Sequence, residues 1–270
     1  MTLSGKTLLI SAVLSMVLCL AGCKVDVGTD NRGDATGGGF LGTTNAGQGI
    51  DADGIWLGNT PENTDFNINL LVRQGNLVMI GRGLAYVGTY DPTVTGSNFA
   101  ASINVYNSNG LKLTNTPITV NGSRINDTTL TLAVDAIIFN GATIANPQTM
   151  NFNLQGDIWN RASSYELISD LWTLDIPAQS YHLEFPILPT GVLNDGAIDS
   201  DGCVYSGALQ LLDTTKNLYS ANLTLTGAGC ATLEGDRYSG YASLLPDDNS
   251  LLIVVANGTH AFSLELTRQQ

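Results

Sequence analysis

Apolar and polar residues alternate with a period of two in many segments of the chain after residue 50. The apolar positions that share a face are Phe66, Ile68, Leu70 and Val72; Ala101, Ile103 and Val105; Leu130, Leu132 and Val134; Leu223 and Leu225; and Phe262, Leu264 and Leu266. This period is typical of a strand with one buried face. Turn residues such as Asn257-Gly258 separate the segments. The pattern predicts an all-β protein built of short antiparallel strands.

The two halves of the chain share an ordered set of landmarks. The matched positions are Trp56 and Trp172, Gly75 and Gly191, Tyr86 and Tyr205, Gly88 and Gly207, Asn98 and Asn217, Asn140 and Asn257, and Phe152 and Phe262. The offset is 116 at the first landmarks and 119 at the tyrosines, so one three-residue insertion explains the change. The order of the matches predicts a unit of roughly 100 residues that occurs twice.

Each unit has room for about seven or eight short strands, and two architectures fit this number. One is a pair of tandem barrels or sandwiches, and the other is a single larger barrel to which each half supplies one side. The segment 157–170 favours tandem units because it can serve as a connector, with a short helical turn at 163–168. We therefore expect a first β unit over 51–156 and a second over 171–270.

The composition is poor in charge and rich in small polar residues. Charged residues make up 13% of the chain and hydrophobic residues 43%, which is apolar enough for a buried core. The formal net charge is −13, and it becomes −14 without residues 1–22, which hold one Lys and no acid. This balance argues against nucleic acid as a partner and against electrostatic binding to anionic headgroups.

Residues 1–22 have the features of a signal peptide, with Lys6 before an apolar run over 8–20. The run ends in Leu20-Ala21-Gly22-Cys23, which resembles the lipobox of bacterial lipoproteins. The resemblance implies cleavage before Cys23, a diacylglyceryl group on its thiol and a fatty acyl chain such as palmitate on its amine. Residue 24 is Lys rather than Asp, which in that family points to the outer membrane. We therefore expect a lipid-anchored protein of the cell envelope.

A single segment connects the expected anchor to the first unit, whose opening residues carry a further resemblance. Residues 23–50 include the run Gly37-Gly38-Gly39 and show no hydrophobic period, so we expect a flexible tether with a reach of about 30 Å. Gly54-Ile55-Trp56 is similar to the first strand of small lipocalin-like barrels, which carries Gly-x-Trp. The second unit has Asp170-Leu171-Trp172 and lacks the Gly. The similarity implies an up-and-down barrel and transfers no binding residue.

Two cysteines, Cys203 and Cys230, remain outside the expected signal peptide and lipid anchor. Exported proteins reside where disulfides form. The offset of 119 places Leu84 and Leu111 at the corresponding positions of the first unit, which indicates two neighbouring buried sites. We predict a Cys203–Cys230 disulfide that staples the second unit. A metal pair is the alternative, and the absence of further Cys or His nearby disfavours it.

Asp-x-Asp-Gly occurs twice, at 51–54 and 199–202, and resembles a fragment of a calcium-binding loop. The remaining loop positions do not match, so an acidic turn at a strand end is the preferred interpretation. The better of two weak calcium candidates is the set Asp195, Asp199 and Asp201. We expect no metal and no cofactor.

Catalytic patterns are absent from the sequence. The two histidines, His182 and His260, fall in or beside strands, and no Gly-x-Ser-x-Gly motif accompanies them. The aromatic residues Trp56, Trp159, Trp172, Tyr86, Tyr205, Tyr219, Tyr238 and Tyr241 are expected in the cores. We expect a non-enzymatic binding or assembly module that contacts a protein, a glycan or a small apolar ligand. An adhesin-like surface protein without a ligand pocket is the alternative, and a hydrolase is the least favoured.

Overall fold

A computed structural model describes residues 50–60, 63–81, 84–107, 110–139, 142–194, 196–233 and 237–269. The first half contains ten strands: β1 Gly54–Thr60, β2 Asn63–Arg73, β3 Asn76–Gly81, β4 Leu84–Tyr90, β5 Asn98–Asn107, β6 Ile118–Asn126, β7 Thr129–Val134, β8 Ile137–Phe139, β9 Ala142–Ala145 and β10 Gln148–Leu154. Two short helices follow, α1 Gly156–Trp159 and α2 Tyr165–Ile168. The second half contains eight strands: β11 Leu171–Ile176, β12 Tyr181–Pro186, β13 Ile198–Asp199, β14 Val204–Leu211, β15 Tyr219–Thr226, β16 Arg237–Leu244, β17 Ser250–Ala256 and β18 Ala261–Arg268.

The strands form two closed eight-stranded barrels in tandem, which decides between the two architectures. Barrel 1 has the order β1-β10-β7-β6-β5-β4-β3-β2, and barrel 2 runs from β11 to β18 in chain order. All pairings are antiparallel, so both are up-and-down barrels. The β8–β9 hairpin is an insertion in barrel 1 between β7 and β10. In barrel 2 the ring closes through the two-residue β13, with isolated bridges at Ile187–Leu193 and Val192–Ala208 beside it.

The predicted alternation is confirmed in the barrel interiors. Along β5 the inward residues Ala101, Ile103 and Val105 are fully buried while the residues between them are more exposed. Leu132 in β7 and Leu264 in β18 also face inward and are fully buried. All eight aromatic residues expected in the cores are buried, but Tyr241 lies on the outer face of β16 rather than in the barrel interior. Inward-facing side chains therefore fill the barrels, as they do in other small eight-stranded barrels.

The first landmarks of the repeat have the same contacts in both barrels. The Trp56 indole N–H donates to the carbonyl oxygen of Ala52 at 2.9 Å, and the Trp172 indole N–H donates to Ile168 at 2.8 Å. Each acceptor lies four residues before its tryptophan, and the two acceptors are again 116 residues apart. The internal repeat is therefore structural as well as sequential.

The glycine landmarks are equivalent as well. Gly75 and Gly191 both adopt positive φ, +80° and +78°. Each carbonyl accepts a 2.8 Å hydrogen bond from the backbone N–H of an equivalent residue, Tyr90 in barrel 1 and Leu209 in barrel 2. Because this φ is strained for any residue with a Cβ, glycine is required at both positions.

Two of the later matches were wrong in register. Strand pairing aligns Gly88 with Ile103 and Gly207 with Leu223, which gives an offset of 120 in this part of the repeat. The barrel 2 residue that corresponds to Asn98 is therefore Leu218, one residue beyond Asn217. The residues opposite the two tryptophans are Leu154 and Arg268, so Phe152 corresponds to Leu266 rather than to Phe262. The match failed because Phe262-Ser263-Leu264 resembles Phe152-Asn153-Leu154 in sequence but lies four residues before the structurally corresponding positions on β18. Asn140, the remaining landmark, lies outside the described residues.

The two barrels pack against each other through their outer surfaces. Six outward-facing side chains of barrel 1 belong to the same buried apolar cluster as the core of barrel 2: Ile55, Leu71, Val78, Ala85, Val87 and Tyr106. On barrel 2, residues 251–256 of β17 are buried on both faces of the strand. Barrel 1 also contacts two loops of barrel 2, since Arg73 pairs with Asp213 at 3.7 Å and Leu111 forms a β-bridge to His260. The barrel contact therefore covers the outer face of β16 and β17.

The expected segment boundaries need two adjustments. The connector contains two helical turns, the second of which falls within the predicted 163–168. Ile50, assigned to the tether from sequence, is 1% exposed, and its N–H donates to Val94 at 2.9 Å. The segment before β1 therefore belongs to barrel 1. The expected signal peptide at 1–22, Cys23 and the rest of the tether lie outside the described residues.

Candidate functional site

Aromatic and aliphatic side chains pack the interior of barrel 2. The rings of Tyr205 and Phe262 lie 6.2 Å apart at 80°, and those of Tyr238 and Phe262 lie 5.0 Å apart. Phe185 approaches Tyr205 at 6.1 Å. Such contacts are typical of a packed core. The interior of barrel 1 is likewise filled by one continuous apolar cluster. The outer surface of the barrels is therefore the candidate binding surface.

The outer face of β5, β6 and β7 carries small uncharged polar residues in lateral rows. Asn98 pairs with Ser123, and Ser123 pairs with Thr131, so these three side chains lie side by side across three strands. In the adjacent row Asn121 lies between Ala100 and Ala133. Neighbouring strands are about 4.8 Å apart. The two rows form a compact array of amide and hydroxyl groups.

This array lines an open groove of about 470 Å³. The lining residues are Val94, Asn98, Phe99, Ala100, Asn121, Gly122, Ser123, Thr131 and Ala133. None of these side chains carries a charge. Alanine on both sides of Asn121 makes the surface locally concave, because neither methyl group fills the space that a larger side chain would occupy.

The polar groups of the groove can donate hydrogen bonds to a ligand and accept hydrogen bonds from it. The side-chain amides of Asn98 and Asn121 have no hydrogen-bond partner among the residues that the structure describes. Thr131 Oγ1 donates to the carbonyl of Ser123 at 3.4 Å, which leaves its lone pairs accessible. Each Asn amide offers two N–H donors and a carbonyl acceptor. At one end of the groove, Val94 is held by the backbone hydrogen bond from Ile50.

Sequence reasoning did not identify this groove. The polar members of the alternation were visible, and their exposure follows from the period of two. Their assembly into rows depends on the register of three strands, which the sequence does not encode locally. The available signal was the enrichment of Asn, Ser and Thr at the outward positions of strands.

The structure explains the acidic turn at 199–202 without a metal ion. Asp199 is 9% exposed, and its Oδ1 accepts backbone N–H bonds from Asp201 at 3.0 Å and Cys203 at 2.9 Å. Its Oδ2 accepts hydroxyl bonds from Tyr181 at 3.2 Å and Tyr205 at 3.3 Å. Burial raises the pKa of both tyrosines, so both hydroxyls stay protonated and donate. The Asp199 carboxylate therefore has a partner on each oxygen.

The structure describes one of the two remaining members of the weak calcium set. Asp201 is exposed, and Asp195 lies outside the described residues. Within the described ranges no group of three or more His, Cys, Asp or Glu side chains is placed to hold a metal ion. The acidic-turn interpretation accounts for the contacts of Asp199 that the structure shows.

Cys203 and Cys230 lie at disulfide distance, as predicted, with their sulfur atoms 1.99 Å apart. The bond links the start of β14 to the 3-10 turn at Ala228–Leu233. Both residues are buried, with 2% and 4% exposure. The supporting argument from barrel 1 was wrong, because Leu111 is 48% exposed and so is not part of a buried pair.

The two histidines lie on the surface rather than in a catalytic pocket. His182 Nδ1 contacts Asp175 Oδ1 at 2.6 Å, and its Nε2 lies 3.6 Å from Glu184. The hydrogen bond to Asp175 raises the pKa of His182. His260 Nδ1 contacts the hydroxyl of Thr259 at 3.2 Å in the β17–β18 turn. Ser200 contacts His182 only through the backbone N–H of His182, so among the described residues neither imidazole contacts both a serine hydroxyl and a carboxylate.

Among the described residues, no helix has the length and apolar character that crossing a membrane requires. A comparison of the chain with models of protein families, with curated proteins and with solved structures found no match.

Proposed function

We propose that this chain is a lipid-anchored envelope protein whose two barrels form a non-catalytic binding or assembly module. Cys23 would carry the lipid and residues 24–49 would link it to barrel 1. The observation that supports a binding role best is the uncharged groove on the outer face of β5–β7. It contains the side-chain amides of Asn98 and Asn121, which have no partner in the part of the chain that the structure describes. Ligand is then bound at the barrel wall rather than inside a barrel.

The packing of the barrels supports the use of an outer surface. Inward-facing aromatic and aliphatic residues occupy the volume in which a barrel with an open lumen would bind a ligand. Barrel 1 is joined to barrel 2 through its opposite outer surface, so the groove stays accessible. A rigid scaffold with an exposed site is a common arrangement for binding proteins.

The position of the groove relative to the tether also fits an anchored protein. Ile50 donates its N–H to Val94, which lines the groove. The chain therefore enters barrel 1 beside the site. A tether of about 27 residues has a reach of about 30 Å, so it would hold the groove within a few nanometres of the membrane.

The anchor is tested by replacing the proposed lipidated residue. We expect Cys23→Ser to move the protein from the membrane fraction to the soluble envelope fraction and to abolish incorporation of labelled fatty acid. Cys19→Ser is the matched control, because it removes a thiol from the same segment without altering Cys23. Membrane retention of Cys23→Ser, or release of Cys19→Ser, would contradict the proposal.

A further inference from the structure

The chemistry of the groove restricts the class of ligand it can accept. Its side chains offer amides and hydroxyls, which both donate and accept hydrogen bonds, and they offer no charge to pair with an ionic ligand. The net charge of −13 further disfavours an anion. Val94, Ala100 and Ala133 provide small apolar surfaces between the polar groups. Hydroxyl groups attached to an apolar ring framework match this combination.

The polar row continues beyond the groove. Thr131 pairs with Asn151 on β10, and Asn151 pairs with Asn59 on β1. Asn98, Ser123 and these three residues therefore form one lateral row across five strands. With strands about 4.8 Å apart, the row is about 19 Å long. Because these strands make up about half of the closed ring, the row curves around the barrel wall, and a straight ligand segment would contact the part on β5, β6 and β7.

Barrel 2 shows what the equivalent positions contain when another barrel covers them. Strand pairing places Tyr241, Leu252 and Val254 of barrel 2 at the positions of Asn121, Thr131 and Ala133. The barrel 2 residues are buried, with at most 9% exposure. The same outer surface is therefore apolar where it packs against a barrel and uncharged, polar and concave where it is free.

We propose that the groove binds a neutral, hydroxyl-rich glycan chain that lies across β5, β6 and β7. Asn98 and Asn121 hydrogen-bond to sugar hydroxyls, and Ala100 and Ala133 contact the C–H faces of the rings. This inference deepens the proposed function, because it names the ligand class of the binding module. It does not depend on the identity of the membrane that holds the anchor.

The test uses the full-length protein in a zwitterionic detergent, since detergents with sugar headgroups would compete for the site. The probes are neutral oligosaccharides of glucose, galactose and N-acetylglucosamine, with oligogalacturonate as the anionic comparison. Binding is measured by chemical-shift titration. We expect binding of at least one neutral chain and none of the anionic chain.

A double variant locates the binding. Asn98→Ala with Asn121→Ala should weaken binding about 30-fold, because a net contribution of about 1 kcal/mol is lost for each of two hydrogen bonds. Asn222→Ala is the matched control, since Asn222 is an exposed residue on the outside of barrel 2 between Ala208 and Ser239. It should leave binding unchanged, and thermal melting should show that all variants fold alike.

Each contrary result has a distinct meaning. Neutral glycan binding that survives the double substitution would overturn the assignment of the site. Binding of the anionic chain alone, with loss in the double variant, would overturn the ligand class and leave a binding role for the groove. Failure of every saccharide to bind would overturn the inference. The Cys23→Ser experiment tests the anchor separately, so failure of one proposal is distinguishable from failure of the other.

Discussion

The disulfide between Cys203 and Cys230 provides the sharpest test of the energetics of barrel 2. The two residues are separated by 27 positions, so the bond closes a loop of about 28 residues. In the chain-entropy model a loop of this size restricts the unfolded state by about 3.5 kcal/mol at 25 °C. Replacing both cysteines with alanine should lower the free energy of unfolding by about this amount.

The shift in melting temperature depends on how much of the protein unfolds together. The shared apolar cluster joins the two barrels, so we expect them to unfold in one transition. For a cooperative unit of about 200 residues, 1 kcal/mol corresponds to roughly 2–4 °C, which predicts a decrease of about 7–14 °C. If barrel 2 unfolded alone, the decrease would be about twice as large and would affect one of two transitions.

Thermal unfolding followed by circular dichroism measures this effect. Reduction of the wild-type protein should reproduce the decrease seen in the double alanine variant, and the reductant should have no further effect on that variant. A loss of stability below about 1 kcal/mol would refute the estimate from loop closure. Two separate transitions would refute the inference that the barrels unfold together.

Two further predictions concern the strand contacts of the repeat and a surface histidine. A Cβ at Gly88 would lie 1.8 Å from the carbonyl oxygen of Ser102. Gly88→Ala should therefore lower the free energy of unfolding, measured with denaturant, by about 1–3 kcal/mol or more. Gly196→Ala is the control and should be close to neutral, because a Cβ at Gly196 would lie no nearer than 3.8 Å to another atom. The pKa of His182 should exceed its ordinary value of 6.5 because of the hydrogen bond to Asp175, and an NMR titration of Asp175→Asn should show it lowered. Since the folded-state pKa is raised, the Asp175 contact should stabilise the protein fully below about pH 6.5 and lose its effect as the pH rises through the folded-state pKa. An unchanged His182 titration in Asp175→Asn would contradict the assignment.

The parts of the fold that depend on local pattern were predictable from sequence. The inward position of Ile103 and Leu132 follows from a period of two, which needs no knowledge of the neighbouring strands. The Trp and Gly landmarks were also accessible, because both units keep the same short spacing between them. The number of barrels was left between two possibilities, and closure of each sheet on itself decided it.

The remaining features depend on contacts between distant residues. Leu71 falls on the polar side of the β2 alternation, yet it is 2% exposed because barrel 2 covers it. Asp199 was recognisable as part of an acidic turn, while its tyrosine partners come from two other strands. The groove likewise required the pairing of Asn98, Ser123 and Thr131, which no single segment specifies.

The contact between the barrels has a consequence for assembly. Barrel 1 contributes the outer face of its early strands, and barrel 2 contributes the outer face of its late strands, so the contact is heterologous and could in principle add further units without limit. A third unit placed before barrel 1 would meet Asn121, Thr131 and Asp135 where barrel 2 presents Tyr241, Leu252 and Ala256. Burial of these uncompensated polar groups would oppose its docking. The groove face of barrel 1 therefore disfavours the addition of a further unit at that end.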